Sequence, residues 1–144
     1  MKKTICLVLA FIAILIIACN NPKKAVIENP YVGAWEITHS KYVYPDTTYE
    51  TTPRVNPNVK LLTNKHYAFG RQSGENLITG GGGLYTFKDD VFKSFPKYHT
   101  NSIIVGDSLV MKSKIEGDLW TVSYTADLDS IKVEATETWK RIPE

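Results

Sequence analysis

The sequence predicts an all-β domain, an up-and-down antiparallel β-barrel, on three observations. Runs of period two recur along most of the chain. Gly, Pro, Asn or Asp bounds each run. Beyond the apolar N-terminus no stretch has a convincing helical period with caps. The later connections read as tight hairpins, and a meander of hairpins closes most simply into a barrel.

The N-terminus is an address rather than part of the fold. Lys2 and Lys3 precede an apolar run from Ile5 to Ala18 interrupted by Cys6. The run suits a signal-peptide core and falls short of the ~20 residues that span a bilayer. It ends in "LIIACNN", with small Ala18 directly before Cys19. This stretch resembles a bacterial lipoprotein signal peptide. That resemblance implies cleavage before Cys19, a diacylglycerol thioether on Cys19 and acylation of its new amine. Residues 1–18 are then a leader, 19–29 the lipidated cysteine and a polar tether, and 30–144 the barrel domain. Acyl chains contribute ~0.8 kcal/mol per buried CH₂, so more than one holds the domain at a membrane without spanning it.

Losing the leader also changes the charge. Lys2 and Lys3 leave with it, which takes 17 basic residues to 15, equal to the acidic count, and the formal charge from +2 to zero. No net positive field remains to attract nucleic acid. Cys6 leaves too and lipid consumes Cys19, so the folded part carries no thiol and depends on its core.

Within the domain the elements follow in order. Trp35, Ile37, His39, Lys41 and Val43 alternate with Glu36, Thr38, Ser40, Tyr42 and Tyr44. Thr48 to Val55 has room for a short helix, which Pro53 and Pro57 argue against. "NVKLLT" is a short strand. "KHYAFGRQ" puts Tyr67, Phe69 and Arg71 on one face. "GGGG", residues 80–83, reads as a flexible turn, which makes 73–82 a mobile loop at an open rim. "GLYTFKDD" and "VFKSFPKY" meet at an Asp89-Asp90 turn. "SLVMKSKIEGDLWTVSYT" is a hairpin about Glu116-Gly117-Asp118, with Trp120, Val122 and Tyr124 sharing a face. "SIKVEATETWKRI" is the last strand, with Val133, Ala135, Glu137, Trp139 and Arg141 on one side.

A barrel needs a plug at its closed end. Trp35 on the first strand supplies one, and Gly33 lets the backbone turn sharply there. A cation from the last strand lying across an indole adds ~0.5–2 kcal/mol. Gly33-Ala34-Trp35, the final Trp139-Lys140-Arg141 and the stretch from Lys65 to Phe87 together resemble the calycin superfamily. The likeness runs to lipocalins, fatty-acid-binding proteins and the lipocalin-like domains of small bacterial lipoproteins. It covers residues 30–142. It implies that Gly33, Trp35, Trp139 and Arg141 are structural, with Arg141 packed on Trp35. The chain departs from many lipocalins in having no disulfide and no C-terminal helix.

Catalytic patterns are sparse. His39, His66 and His99 have no ligand spacing with one another, so no metal is expected. "GRQSGEN" misses the nucleophile-elbow spacing, and "GGGG" lacks the Lys-Ser/Thr of a phosphate loop. No enzyme activity and no cofactor are expected. Polar residues among apolar ones on inward faces suggest a binding cavity. Its candidate residues are His39, which shares the face of Trp35 by strict alternation, Tyr67, Phe69, Arg71, Trp120, Tyr124 and Glu137. Arg71 and Glu137, if inward, must pair with each other, bind water or meet a ligand. The residues leave open whether they lie instead at a solvated face.

The first expected function is therefore a membrane-tethered lipoprotein that binds a small hydrophobic or amphipathic ligand, such as a fatty acid, outside the cytoplasm, on the outer membrane of the cell envelope. The second is an accessory interaction lipoprotein with a filled barrel and an envelope protein as partner.

Overall fold

The computed structural model describes residues 29–52, 58–128 and 131–143. The leader, Cys19 and the tether before Asn29 lie outside the described residues, as does Val55. Nine strands form one antiparallel sheet: β1 (Gly33–Val43), β2 (Thr48–Thr51), β3 (Asn58–Leu62), β4 (His66–Ser73), β5 (Asn76–Lys88), β6 (Val91–His99), β7 (Leu109–Glu116), β8 (Leu119–Leu128) and β9 (Ile131–Arg141). A single 3₁₀ turn, Ser102–Ile104, is the only helical element among the described residues. From β3 to β9 each strand pairs with the next, and β1 pairs with both β3 and β9. The sheet therefore closes into an eight-stranded up-and-down barrel. β2 and β3 share one edge of β1: β2 runs along Ser40 to Val43 and β3 along Gly33 to Glu36. The stretch weighed as a helix thus begins with strand β2.

Turn chemistry sets the hairpins. β5 and β6 are joined by Asp89 and Asp90, both at positive φ (49° and 61°), the twist a two-residue hairpin favours. β7 and β8 turn through Gly117 at φ 59° and Asp118.

The four glycines are not a turn. Gly80 to Gly83 lie inside β5, paired to Tyr67–Gly70 on one side and to β6 on the other. The expectation of a mobile loop over 73–82 is corrected: the turn is confined to Gly74 and Glu75. The physical reason is close approach. A Cβ on Gly83 would collide with the carbonyl oxygen of Phe95, and one on Gly82 with the Tyr98 hydroxyl and the Tyr67 carbonyl. The neighbouring strand β6 slips register between Gly82 and Gly83, and only glycine fits that crowding.

A second irregularity lies in β1. Its pairing with β9 shifts between Ile37 and His39. A one-residue bulge moves every later side chain to the other face. Trp35 and Ile37 point inward before it; Ser40 and Tyr42, opposite the inward Glu137 and Ala135, point inward after it.

The core occupies the end of the barrel where β1 begins. Trp35, Trp120, Trp139, Phe92 and Val122 are its most completely buried side chains, with Tyr31, Tyr85, Tyr67, Leu62 and Met111 around them.

Candidate functional site

Side chains on the inner face fall into three layers. The first is the plug. Tyr31, just before β1, inserts its ring among Tyr85, Phe87, Phe92 and Trp120, with centroids 4.8–6.5 Å away. Trp35 meets Trp120 edge-on at 5.4 Å. Buried polar atoms here are partnered, as burial requires. Trp35 Nε1 donates to the Tyr31 carbonyl (2.9 Å), and Trp120 Nε1 to Ser113 Oγ (2.9 Å). The Tyr31 hydroxyl bonds the same Ser113 oxygen (2.8 Å). Arg141 holds the entry segment: its guanidinium donates to the carbonyls of Val32 and Pro30 (2.7 Å each), and its Cζ lies 4.1 Å from the Trp35 ring centroid. Gly33, at φ 132°, leaves room for that guanidinium; a Cβ there would sit 2.8 Å from an Arg141 nitrogen.

The second layer centres on Glu137, which is only 8% exposed. Its Oε1 accepts from the hydroxyls of Tyr42 (2.9 Å) and Tyr124 (3.0 Å), and its Oε2 from Trp139 Nε1 (3.0 Å). Burial and then the nearby Glu137 charge push the Tyr42 and Tyr124 hydroxyls well above the usual phenol range. Lys60 reaches in from β3. Its Nζ lies 4.0 Å from the Trp139 ring centroid and 4.8 Å from that of Trp120. Measured over its whole surface Lys60 is partly exposed, but its ammonium lies deep enough that desolvation dominates. Desolvation pulls its pKa below the ordinary lysine value, and Glu137 opposes that.

The third layer faces the other end. In register, Asn58 sits opposite Arg71, and Lys60 opposite Phe69. Phe69 is half-buried, 5.5 Å from the His99 ring. Arg71 follows Tyr67 and Phe69 on the inner face of β4 by alternation, and it makes no ion pair with a described residue. The Asn58 Oδ1 is buried and finds no hydrogen-bond partner among the described residues. Tyr49 and Tyr44 stack edge-on at 5.6 Å on the rim.

The structure brings together part of the set expected from sequence. Tyr124 and Glu137 are bonded to each other. Phe69 and Arg71 line the mouth side, with Tyr67 deeper on the same face. Trp120 lies in the plug, with rings and the Lys60 ammonium around it. His39 is corrected: the bulge turns it outward, where it bonds exposed Glu50 at 2.9 Å. Arg71 and Glu137 do not pair, because Tyr42, Tyr124 and Trp139 take the carboxylate first. Sequence reasoning missed Lys60, Tyr42 and Asn58. Outside the barrel, an open depression of about 620 Å³ lies between the Asp89-Asp90 turn and the outer face of β7 and β8, lined by Lys112, Lys114 and Thr121. It collects no constellation of reactive groups. Among the described residues no three His, Cys, Asp or Glu side chains gather where they could hold a metal ion. Among them, too, no helix is long and apolar enough to cross a membrane.

The closed eight-stranded barrel with its plug fits a calycin-like architecture. No protein-family model matches the chain, and no curated protein does. Among solved structures, a double mutant of the vaccine antigen Transferrin Binding Protein B from Haemophilus parasuis is similar over 80% of this chain and 27% of that one, at 12% identity and a TM-score of 0.45. The chain thus spans about a quarter of that protein's length, and a superposition so loose assigns neither fold nor function.

Proposed function

We propose that this protein is a lipid-tethered, lipocalin-like barrel that binds a small amphipathic molecule outside the cytoplasm, without chemistry of its own in that role. One observation carries the reading: Glu137 is engaged by Tyr42, Tyr124 and Trp139, which leaves Arg71 on the inner face without a described ionic partner. A guanidinium offers a planar fork of donors that matches a carboxylate. Phe69 beside it presents an apolar wall for a hydrocarbon tail. A fatty acid or similar organic acid fits both.

Binding of a fluorescent fatty-acid probe to the wild type and to Arg71→Met tests this. Weaker binding by the variant supports the anchor; equal affinity, or no binding by either, rejects it. The tether is tested separately. Cys19→Ser should release the domain from the membrane fraction or leave the precursor uncleaved, and unchanged retention and mobility reject the lipid anchor.

A second reading, an interaction module of an envelope complex, draws on Leu77, Ile78, Tyr98 and Ile103. These apolar side chains on β5, β6 and the 3₁₀ turn are 48–70% exposed. It gains weight if the probe does not bind.

A further inference from the structure

Lys60 is a charged group of the inner face with no part in the proposed role. Its setting is chemical rather than merely structural. On β3 it is flanked in register by two inward aromatic residues, Trp35 on β1 and Phe69 on β4. Its nitrogen lies over the faces of Trp139 and Trp120. It makes no hydrogen bond or ion pair with a described residue, and the nearby Glu137 supplies the countercharge.

We propose that Lys60 is a carbonyl-reactive amine, and that the barrel captures small apolar aldehydes as a protonated imine on its Nζ. This rests on the reading that the interior admits a ligand, and goes beyond it in the bond formed. The step balances without a co-reactant. The neutral amine attacks the aldehyde carbon, the carbonyl oxygen departs as water, and a C=N bond replaces C=O. From the ammonium form, two N–H protons leave in that water and one stays on nitrogen, so the charge of +1 is unchanged.

Three features favour the product here over a surface lysine. Burial shifts Lys60 towards the neutral, nucleophilic amine. The iminium keeps its positive charge at the same nitrogen, so it retains the Trp139 and Trp120 faces and the Glu137 countercharge that held the ammonium. The aromatic sleeve also keeps out the water that hydrolyses imines.

The experiment treats the full chain with nonanal and cyanoborohydride, then maps the reduced adduct by peptide mass spectrometry, with and without excess lauric acid. Expected is one dominant adduct on Lys60, suppressed by lauric acid and absent in Lys60→Arg. That variant keeps a cation over the tryptophans and cannot form the imine; a melting curve shows that it folds. Adducts spread over exposed lysines with Lys60 unmodified would overturn the inference. If the fluorescent fatty acid still binds in that case, the ligand-binding reading survives; if nothing binds, both fall. Mapping on the wild type decides even if Lys60→Arg fails to fold.

Discussion

The two ends of the barrel place the same side chain in opposite surroundings. At the plugged end an arginine, Arg141, lies on a tryptophan with its nitrogens committed to backbone carbonyls. At the mouth an arginine, Arg71, stands beside a phenylalanine with no described ion pair. Partnered polar atoms set in dense rings make structure. The proposed ligand site rests on the other case, an arginine without an ion pair on a half-buried wall, where a ligand carboxylate would supply the missing partner.

Substitutions should separate the two ends. The largest effect is at the plug: Trp35→Ala should destabilise by about 3–5 kcal/mol, as for a buried large aromatic, seen as a lower midpoint in denaturant. A midpoint equal to wild type would place Trp35 outside the core. Glu137→Ala strands three donors and removes the charge facing Lys60, and should cost about 3 kcal/mol in the same assay. Arg141→Ala follows at about 1–2 kcal/mol, since its contacts are partly exposed. At the mouth, Arg71→Met should change stability by less than about 0.5 kcal/mol while weakening the fatty-acid probe. If it melts well below wild type, the division between the ends is wrong.

The middle layer adds a pH dependence, to which each group contributes within its own window. Lys60 has a folded pKa below its unfolded one, so the unfolded chain binds the extra proton between the two values. Its contribution to stability therefore rises with pH through that window and is complete above the unfolded lysine value. Tyr42 and Tyr124 are raised, so above the ordinary phenol pKa of 10.0 the folded state holds protons that the unfolded state has lost, and stability falls. Wild type should lose stability steeply in alkali. Lys60→Arg should show the same alkaline loss without the preceding rise. An alkaline limb unchanged in a Tyr42→Phe, Tyr124→Phe double variant would reject this account.

The meander was legible because β7, β8 and β9 alternate cleanly. Leu109, Met111, Ser113 and Ile115 share the inner face with Trp120, Val122 and Glu137, side by side on neighbouring strands, as period two requires. The site was legible only where alternation is unbroken. Phe69 and Arg71 follow from Tyr67. His39 was misplaced and Tyr42 missed through one cause: a bulge adds a residue to β1, and no residue type marks it. Lys60 was missed because "NVKLL" offers apolar residues to both faces, Val59 and Leu61 on one and Leu62 on the other. The glycine run was misread because flexibility in a sequence looks the same whether it serves a turn or a tight crossing of strands. Only the partner strand tells them apart.

The seam between β1 and β9 has a consequence in time. Trp35 pairs across it with Arg141, more than a hundred positions later in the chain, and Ile142 N–H bonds back to the Ala34 carbonyl (2.9 Å). A chain emerging from the ribosome can form the central hairpins early, since those contacts are local. The staves cannot be hooped until the last strand arrives, and until then both β1 and β8 expose an unpaired edge. Contacts this far apart in sequence form slowly. An exported chain would thus remain threadable for most of its synthesis, and become a closed vessel only as its final strand is laid down.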